Sequence, residues 1–574
     1  MAELPRRACG TLVATGALAI ALAVSVASAP GCYSAGSGSN PPGNIFYFPV
    51  GLAVSQGGNV LYAVNSDFDL QWNGGTIQSY DLTQIRRDAL LTIADPFNPT
   101  LPFVNPPPTG MVGACPNNPP VYLTNGSGLR QPLGETCAPP MDSTHYVRDS
   151  VIVGAFATDL QLSPSGTRLF APVRGDATLT WADVVPDDPN IPPSPDATPA
   201  TYPPFAIDCG LRVANRCDAS HHAGNNPNEP GNTRNITMPG EPFGMAQSED
   251  GTEIAITHQS TTEVSLFSTG LQNNAVVSNP FLQFVLEGVV QGGNGISVIP
   301  HDPDAFPGCA AGGTCAPRPA FLETSRNVAQ LDVLRFYADE GAGTVSSLLR
   351  PFLAAESTFA LTANNGGTDS RGIAIDKSPR LACKARAGTP EEVTQCAQKA
   401  APVYFANRAP SSLVIGEIGE RAADGSDAYD ADRLLVFENV PLTAGPSRVY
   451  LAPIVDQDGR YAMRVFVVCF DSATIFVYDP STQSIENAIT QVGLGPYSLA
   501  FDPFSLDDVA QRKLVPPDPR ATGAPLHKYR FAYVASFTDS FVQLIDLDNS
   551  LADKSTFENI VFTLGFPQAP VGTQ

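Results

Sequence analysis

The residues whose types and spacing could do chemistry are few, and cysteines lead them. The 574-residue chain has 11 cysteines, and eight stand as neighbours: Cys115 with Cys137, Cys209 with Cys217, Cys309 with Cys315, and Cys383 with Cys396. Connectivity is not fixed by sequence, but each pair falls inside one segment between strands, so local disulfides are the economical reading. They place the chain in an oxidising compartment. Metal binding is the rival, yet no pair has CxxC spacing, no histidine accompanies them at ligand intervals, and CxxCH is absent. Cys469, among Val and Phe, reads as a small buried thiol. A second constellation is AADGSDAYDADR (422–433), where Asp424, Asp427, Asp430 and Asp432 are spaced to wrap a calcium ion. The EF-hand ligand order and its terminal Glu are missing, so a solvated turn is the plainer reading. No GxSxG, HExxH, P-loop or GxGxxG occurs, so the common hydrolase, protease and nucleotide signatures are absent.

These groups must be positioned by short strands. Residues 48–65, FPVGLAVSQGGNVLYAVN, read as two strands around a Gln-Gly-Gly-Asn turn. Copies of the second strand recur as LYAVN (61–65), LFAPV (169–173), IAITH (254–258), AFLET (320–324), VYFAN (403–407), VFVVC (465–469) and AYVAS (532–536). Their first strands begin at Gly51, Asp159, Gly244, Gly295, Gly372, Arg448 and Ser498; the closest repeats are about 50 residues apart, a propeller-blade period. Third strands follow, such as TLTWADV (178–184) and TIFVYDP (474–480). Fourth-strand candidates precede the next repeat: 150–156, 281–288, 433–440 and 559–565. The fold class is therefore all-β: a seven-bladed β-propeller of four-stranded antiparallel blades. Residues 44–50 and 559–565 both have fourth-strand character, and which closes the ring stays open.

The pattern PxGLAxSxxGxxLYxxN resembles the YVTN-type propeller repeat of bacterial cell-envelope proteins. That resemblance implies a fold and little about function. Export is read independently from the amino terminus: Arg6 and Arg7, an uncharged apolar stretch 11–27, then small residues to Cys32. Ala29-Pro30-Gly31-Cys32 resembles a lipobox with Ala where Leu is usual, so Cys32 is the expected lipidation site of a membrane-anchored lipoprotein on the periplasmic or cell-surface side of the outer membrane. Cleavage after Ala29 would instead release a soluble secreted chain. The expected organisation is an export signal (1–31), a Gly/Ser-rich tether (32–43) and one propeller domain (44–574).

Alternating strand direction puts first-to-second and third-to-fourth connections on one face. All six long insertions fall there: 83–149, 185–233, 300–319, 337–357, 378–402 and 503–529. So do the four expected disulfides. Short helices are expected at 390–401 and 505–514. The other face keeps short loops; a ligand ring around its channel mouth would consist of Asn65, Arg174, His258, Arg326, Asn407, Asp471 and Asp539. Asp159 and Arg448 occupy channel-side positions where the other copies have Gly or Ser, so they either enter the channel or pair. Net charge is −23 with no basic tract, which disfavours nucleic acid and anionic lipid. The leading expectation is a non-catalytic, lipid-anchored binding scaffold for envelope protein or glycan partners, with no cofactor beyond the calcium candidate. The alternative resembles lactonase-type propeller hydrolases, with a site at the channel mouth.

Overall fold

The computed structural model describes residues 38–566, apart from 96–97, 105–121, 125–129, 133–139, 188–204, 273–276, 308–317, 339–350, 362–366, 423–428, 491, 513–529 and 551–555. Seven antiparallel sheets follow one another along the chain, each with its strands in sequence order. The first strands are Pro49–Val54, Gln161–Leu162, Pro242–Gln247, Gly293–Ile299, Thr368–Ile375, Pro446–Val455 and Pro496–Phe501. They meet one another around the ring and line its axis. Six outer edges are single strands, the first Val147–Ile152 and the last Ile560–Leu564. Blade 2 differs. Its edge consists of two short pieces, Ile207–Asp208 and His222–Ala223, both paired with Thr178–Val184. Between the pieces lies a loop closed by the Cys209–Cys217 disulfide.

The cores lie between blades, because each sheet presents one apolar face to its neighbour on either side. Val60, Tyr62 and Val64 of blade 1, for example, share a cluster with Leu169, Ala171 and Val173 of blade 2. The repeat sequence has a local reason. At the start of each first strand stands a residue with positive φ: Phe48, Phe156, Glu241, Gly292, Asp369, Gly445 and Gly495. In six blades its carbonyl accepts the N–H of the residue that follows the second strand, as Phe48 does from Ser66 at 3.0 Å and Gly495 from Phe537 at 2.8 Å. Three residues later four blades carry the repeat glycine, as Gly51, Gly244, Gly295 and Gly372. It is needed because the next blade's backbone touches it: a Cβ on Gly244 would stand 2.0 Å from the Asn294 carbonyl oxygen, and one on Gly372 2.7 Å from Arg448 Cα.

The helices expected in the insertions form at Pro390–Ala397, with a complete Thr389/Glu392 capping box, and at Leu506–Gln511, capped by Ser505. Ser378–Lys384 and the 13-residue Leu82–Ala94 are two more, read from sequence only as parts of insertions. Asp81 caps the longer one, accepting from the Gln84 N–H at 3.0 Å. The ring closes without strand exchange: blade 1 is wholly amino-terminal, and Ile560–Leu564 completes blade 7. Residues 44–48 serve as packing, Phe46 stacking on Tyr80 at 4.9 Å within a cluster that includes Phe562. Cys383–Cys396 is the second disulfide formed. Cys115, Cys137, Cys309, Cys315, Cys32, Asp424 and Asp427 lie outside the described residues.

Candidate functional site

A cavity of about 700 Å³ occupies the channel. Its floor is at the beginning of the first strands, where Asp159 and Arg448 stand, and its walls climb the strands to the first-to-second connections at Ser248, Glu249, Pro300, Asp376, Lys377 and Phe504. It therefore opens on the insertion face. Asp159 and Arg448 meet across the ring, Nη1 to Oδ2 at 3.3 Å, and Arg448 Nη2 donates to the Thr158 carbonyl at 3.1 Å. The guanidinium also lies 4.8 Å over the Tyr497 ring. Burial opposes the Arg448 charge, but Asp159 foremost, with Tyr497 and Tyr450, outweighs it and holds the pKa above the ordinary guanidinium value.

The other cations of the cavity are also paired. Arg371 grips Asp369 through two bonds of 2.7 and 3.0 Å, and Lys377 bonds Glu249 at 2.8 Å. Burial raises the Asp376 carboxyl, which accepts the Ser378 N–H, and burial likewise raises the Tyr450 phenol. Two amides are left wanting. Asn294 lines the cavity and is buried, yet its Nδ2 has no partner; Gln247 Oε1 is likewise buried and unpartnered. The Gln247 orientation is set by its Nε2, which donates to Gln161 Oε1 at 3.2 Å and to the Leu162 carbonyl at 3.1 Å. Among the described residues no group of three or more His, Cys, Asp or Glu converges as metal ligands would.

The seven loop residues expected around the short-loop mouth sit differently from one another. Asn65, His258 and Asn407 are fully buried within their blades. Asn65 bonds Thr76 and Gln78, Asn407 bonds Ser370 and the Pro410 carbonyl, and His258 donates from Nδ1 to the Gly240 carbonyl at 2.9 Å while Nε2 accepts from Ser265. Arg174 pairs with Glu241, and Asp471 with Arg408. Asp539 accepts the Leu494 N–H at 2.7 Å, and Arg326 is exposed on its loop. The structure thus brings Asp159 and Arg448 together and disperses the other seven. Asp432 of the carboxylate run joins Arg335 and His301 in an ion cluster between blades 4 and 5.

The short-loop mouth is filled by aromatic rings instead. Phe48, Phe68, Phe156, Phe470, Tyr497 and Phe537 form one connected group, with centroid separations from 5.0 Å for Phe48–Phe537 to 6.3 Å for Phe470–Tyr497. A signal for it was present: the connections of blades 6 and 7, FDSA and FTD, both open on Phe, and SDF in blade 1 reaches its Phe two residues later.

No protein-family model and no curated protein matches this chain. Among solved structures it is similar to a protein from Lactobacillus plantarum (TM-score 0.38, 12% identity, covering 78% of this chain and 86% of that one). It is also similar to hydrazine synthase from Kuenenia stuttgartiensis (TM-score 0.39, 10% identity, 90% and 99%). A third is the periplasmic gluconolactonase of Pseudomonas aeruginosa (TM-score 0.36, 15% identity, 78% and 86%). Likeness this distant carries no argument about chemistry; the seven-bladed ring rests on the sheet topology.

Proposed function

We propose that this chain is an exported, lipid-anchored propeller that binds a neutral, hydroxyl-rich ligand, such as the end of an envelope glycan, in the channel cavity, without transforming it. The observation that carries this reading is the pair of unsatisfied amides in a cavity whose cations are each already held by a carboxylate. A buried polar atom without a partner costs about 1–3 kcal/mol. Asn294 Nδ2 needs an acceptor and Gln247 Oε1 a donor; both atoms are closed to solvent in the free protein, so each amide must turn toward the cavity to meet a sugar hydroxyl, which supplies both roles. With Arg448, Arg371 and Lys377 each held by a carboxylate, an anionic ligand would have to displace an existing pair. The volume is in the usual range for small-ligand sites, roughly 300–1,000 Å³. The insertions around the mouth would supply the platform on which a longer glycan, or the protein carrying it, rests.

Calorimetric titration against neutral oligosaccharides tests this. A hit is expected to weaken roughly tenfold, about 1.4 kcal/mol, in Asn294→Ala and in Gln247→Ala, with the circular dichroism unchanged and the sugar recovered intact. Equal affinity in both variants, or no binding across the panel, overturns the proposal. Hydrolysis of an added δ-lactone that Asn294→Ala abolishes would favour the lactonase alternative.

A further inference from the structure

We infer that the short-loop face, with its aromatic mouth, lies against the lipid bilayer, so that the ligand cavity opens away from the membrane. This rests on the lipid-anchor reading of Cys32 given above, and adds to it an orientation that the anchor alone does not specify.

Two independent features point the same way. The first is composition. Phe68 is 51% exposed and Leu494 48% exposed, and beneath Phe68 the rings of Phe48, Phe470 and Phe537 pack as a connected apolar layer. Phe and Leu are among the side chains that a protein lying on a membrane buries at the boundary between headgroups and acyl chains. At the positive-φ position that opens each first strand, blades 1 and 2 carry Phe48 and Phe156 where blades 3 and 5 carry Glu241 and Asp369 and the other three carry glycine, so two bulky rings are brought to this mouth.

The second feature is where the chain enters. Gly38 lies against Trp72 and Asn73, and Asn73 donates its N–H to the Ser39 carbonyl at 3.0 Å. Trp72 belongs to the same short loop as Phe68, tied by its N–H to Asp67 Oδ1 at 3.1 Å. From Cys32 to Gly38 is six residues, a reach of at most about 20 Å. From there the chain climbs the rim of blade 1, Asn40 bonding the Ala214 carbonyl and Asn44 accepting from Ser143, so its point of entry is the short-loop end, and a lipid on Cys32 holds that face nearer the bilayer than the insertion face. Contact is driven by apolar burial rather than charge: the net charge of −23 gives no attraction to anionic headgroups.

The chain's two tryptophans make the test direct. Trp72 is on the proposed membrane face, while Trp181 is buried in blade 2, stacked on His221 at 3.8 Å. The mature chain from Tyr33, carrying an amino-terminal hexahistidine, is tethered to phosphatidylcholine vesicles containing a nickel-chelating lipid, with and without bromine on the acyl chains near the headgroup. Bromine is expected to quench part of the emission. That loss should vanish in Trp72→Phe and shrink in Phe68→Ala. Emission that is the same on brominated and plain vesicles overturns the inference, whatever the state of Cys32. Intact mass of the protein from its native membrane reads the anchor separately. A diacylglyceryl increment on a chain starting at Cys32 supports the anchor. An unmodified Cys32 overturns the anchor reading, and with it the native orientation, even where the tethered chain is quenched.

Discussion

His258 illustrates how one residue can look functional in a sequence and be structural in the fold. At the end of a second strand it was a natural candidate for a channel ligand, yet its ring is fully buried, donating to the Gly240 carbonyl and accepting from Ser265. Burial lowers its pKa from 6.5 to about 4, so the folded protein keeps it neutral where the unfolded chain takes up a proton. The stability it contributes is complete above pH 6.5 and is lost as pH falls toward 4, by about 3 kcal/mol. Urea denaturation of the wild type and of His258→Gln across this window should show that pH-dependent difference; parallel profiles would show that the imidazole is not buried neutral. Which polar residues bury was not legible, since a second strand ends in Asn, His or Thr whether its tip bonds a neighbouring strand or a ligand.

Among elements, the Leu82–Ala94 helix does most to join the ends of the ring. Arg86 on it is fully buried and pairs with Asp502 of blade 7, Nε to Oδ1 at 2.8 Å. Tyr533 and the Phe531 N–H satisfy the rest of that carboxylate at 2.7 and 2.8 Å. Removing one member strands a buried charge, so Arg86→Met should cost about 3–5 kcal/mol in urea unfolding. A loss near zero would mean that the helix is not a staple between blades 1 and 7. The helix escaped notice because LTQIRRDALLTIA follows a strand without a Pro or Gly break and because its cap, Asp81, is also the strand's last residue. The capping box before Pro390–Ala397 stood in plain view, with Thr389, Pro390 and Glu392 in the expected order.

At the scale of the whole molecule, Asp159 and Arg448 are 289 residues apart and touch across the channel, so they tie blade 2 to blade 6. Both are mostly buried, and single replacement by Asn or Met should cost roughly 2–3 kcal/mol, less than a fully enclosed pair because they border the cavity. The double variant Asp159→Leu/Arg448→Met should recover most of that loss in thermal unfolding; additive losses would mean that the two act separately. Seven repeats, their strands and the face carrying the insertions followed from the sequence alone, because alternation, turn residues and repeat glycines are local properties set by backbone sterics. Those local rules also placed Asp159 and Arg448 in the channel column. What needed the tertiary structure was everything decided by closure: that the ring seals without sharing a strand, through packing, the Arg86–Asp502 pair and a backbone bridge from Met141 to Leu564, that the pair meets, that six rings fill one mouth, and that a cavity with two unsatisfied amides opens at the other. Contacts between distant blades are fixed only when all seven close into a circle, and no window of sequence contains that condition.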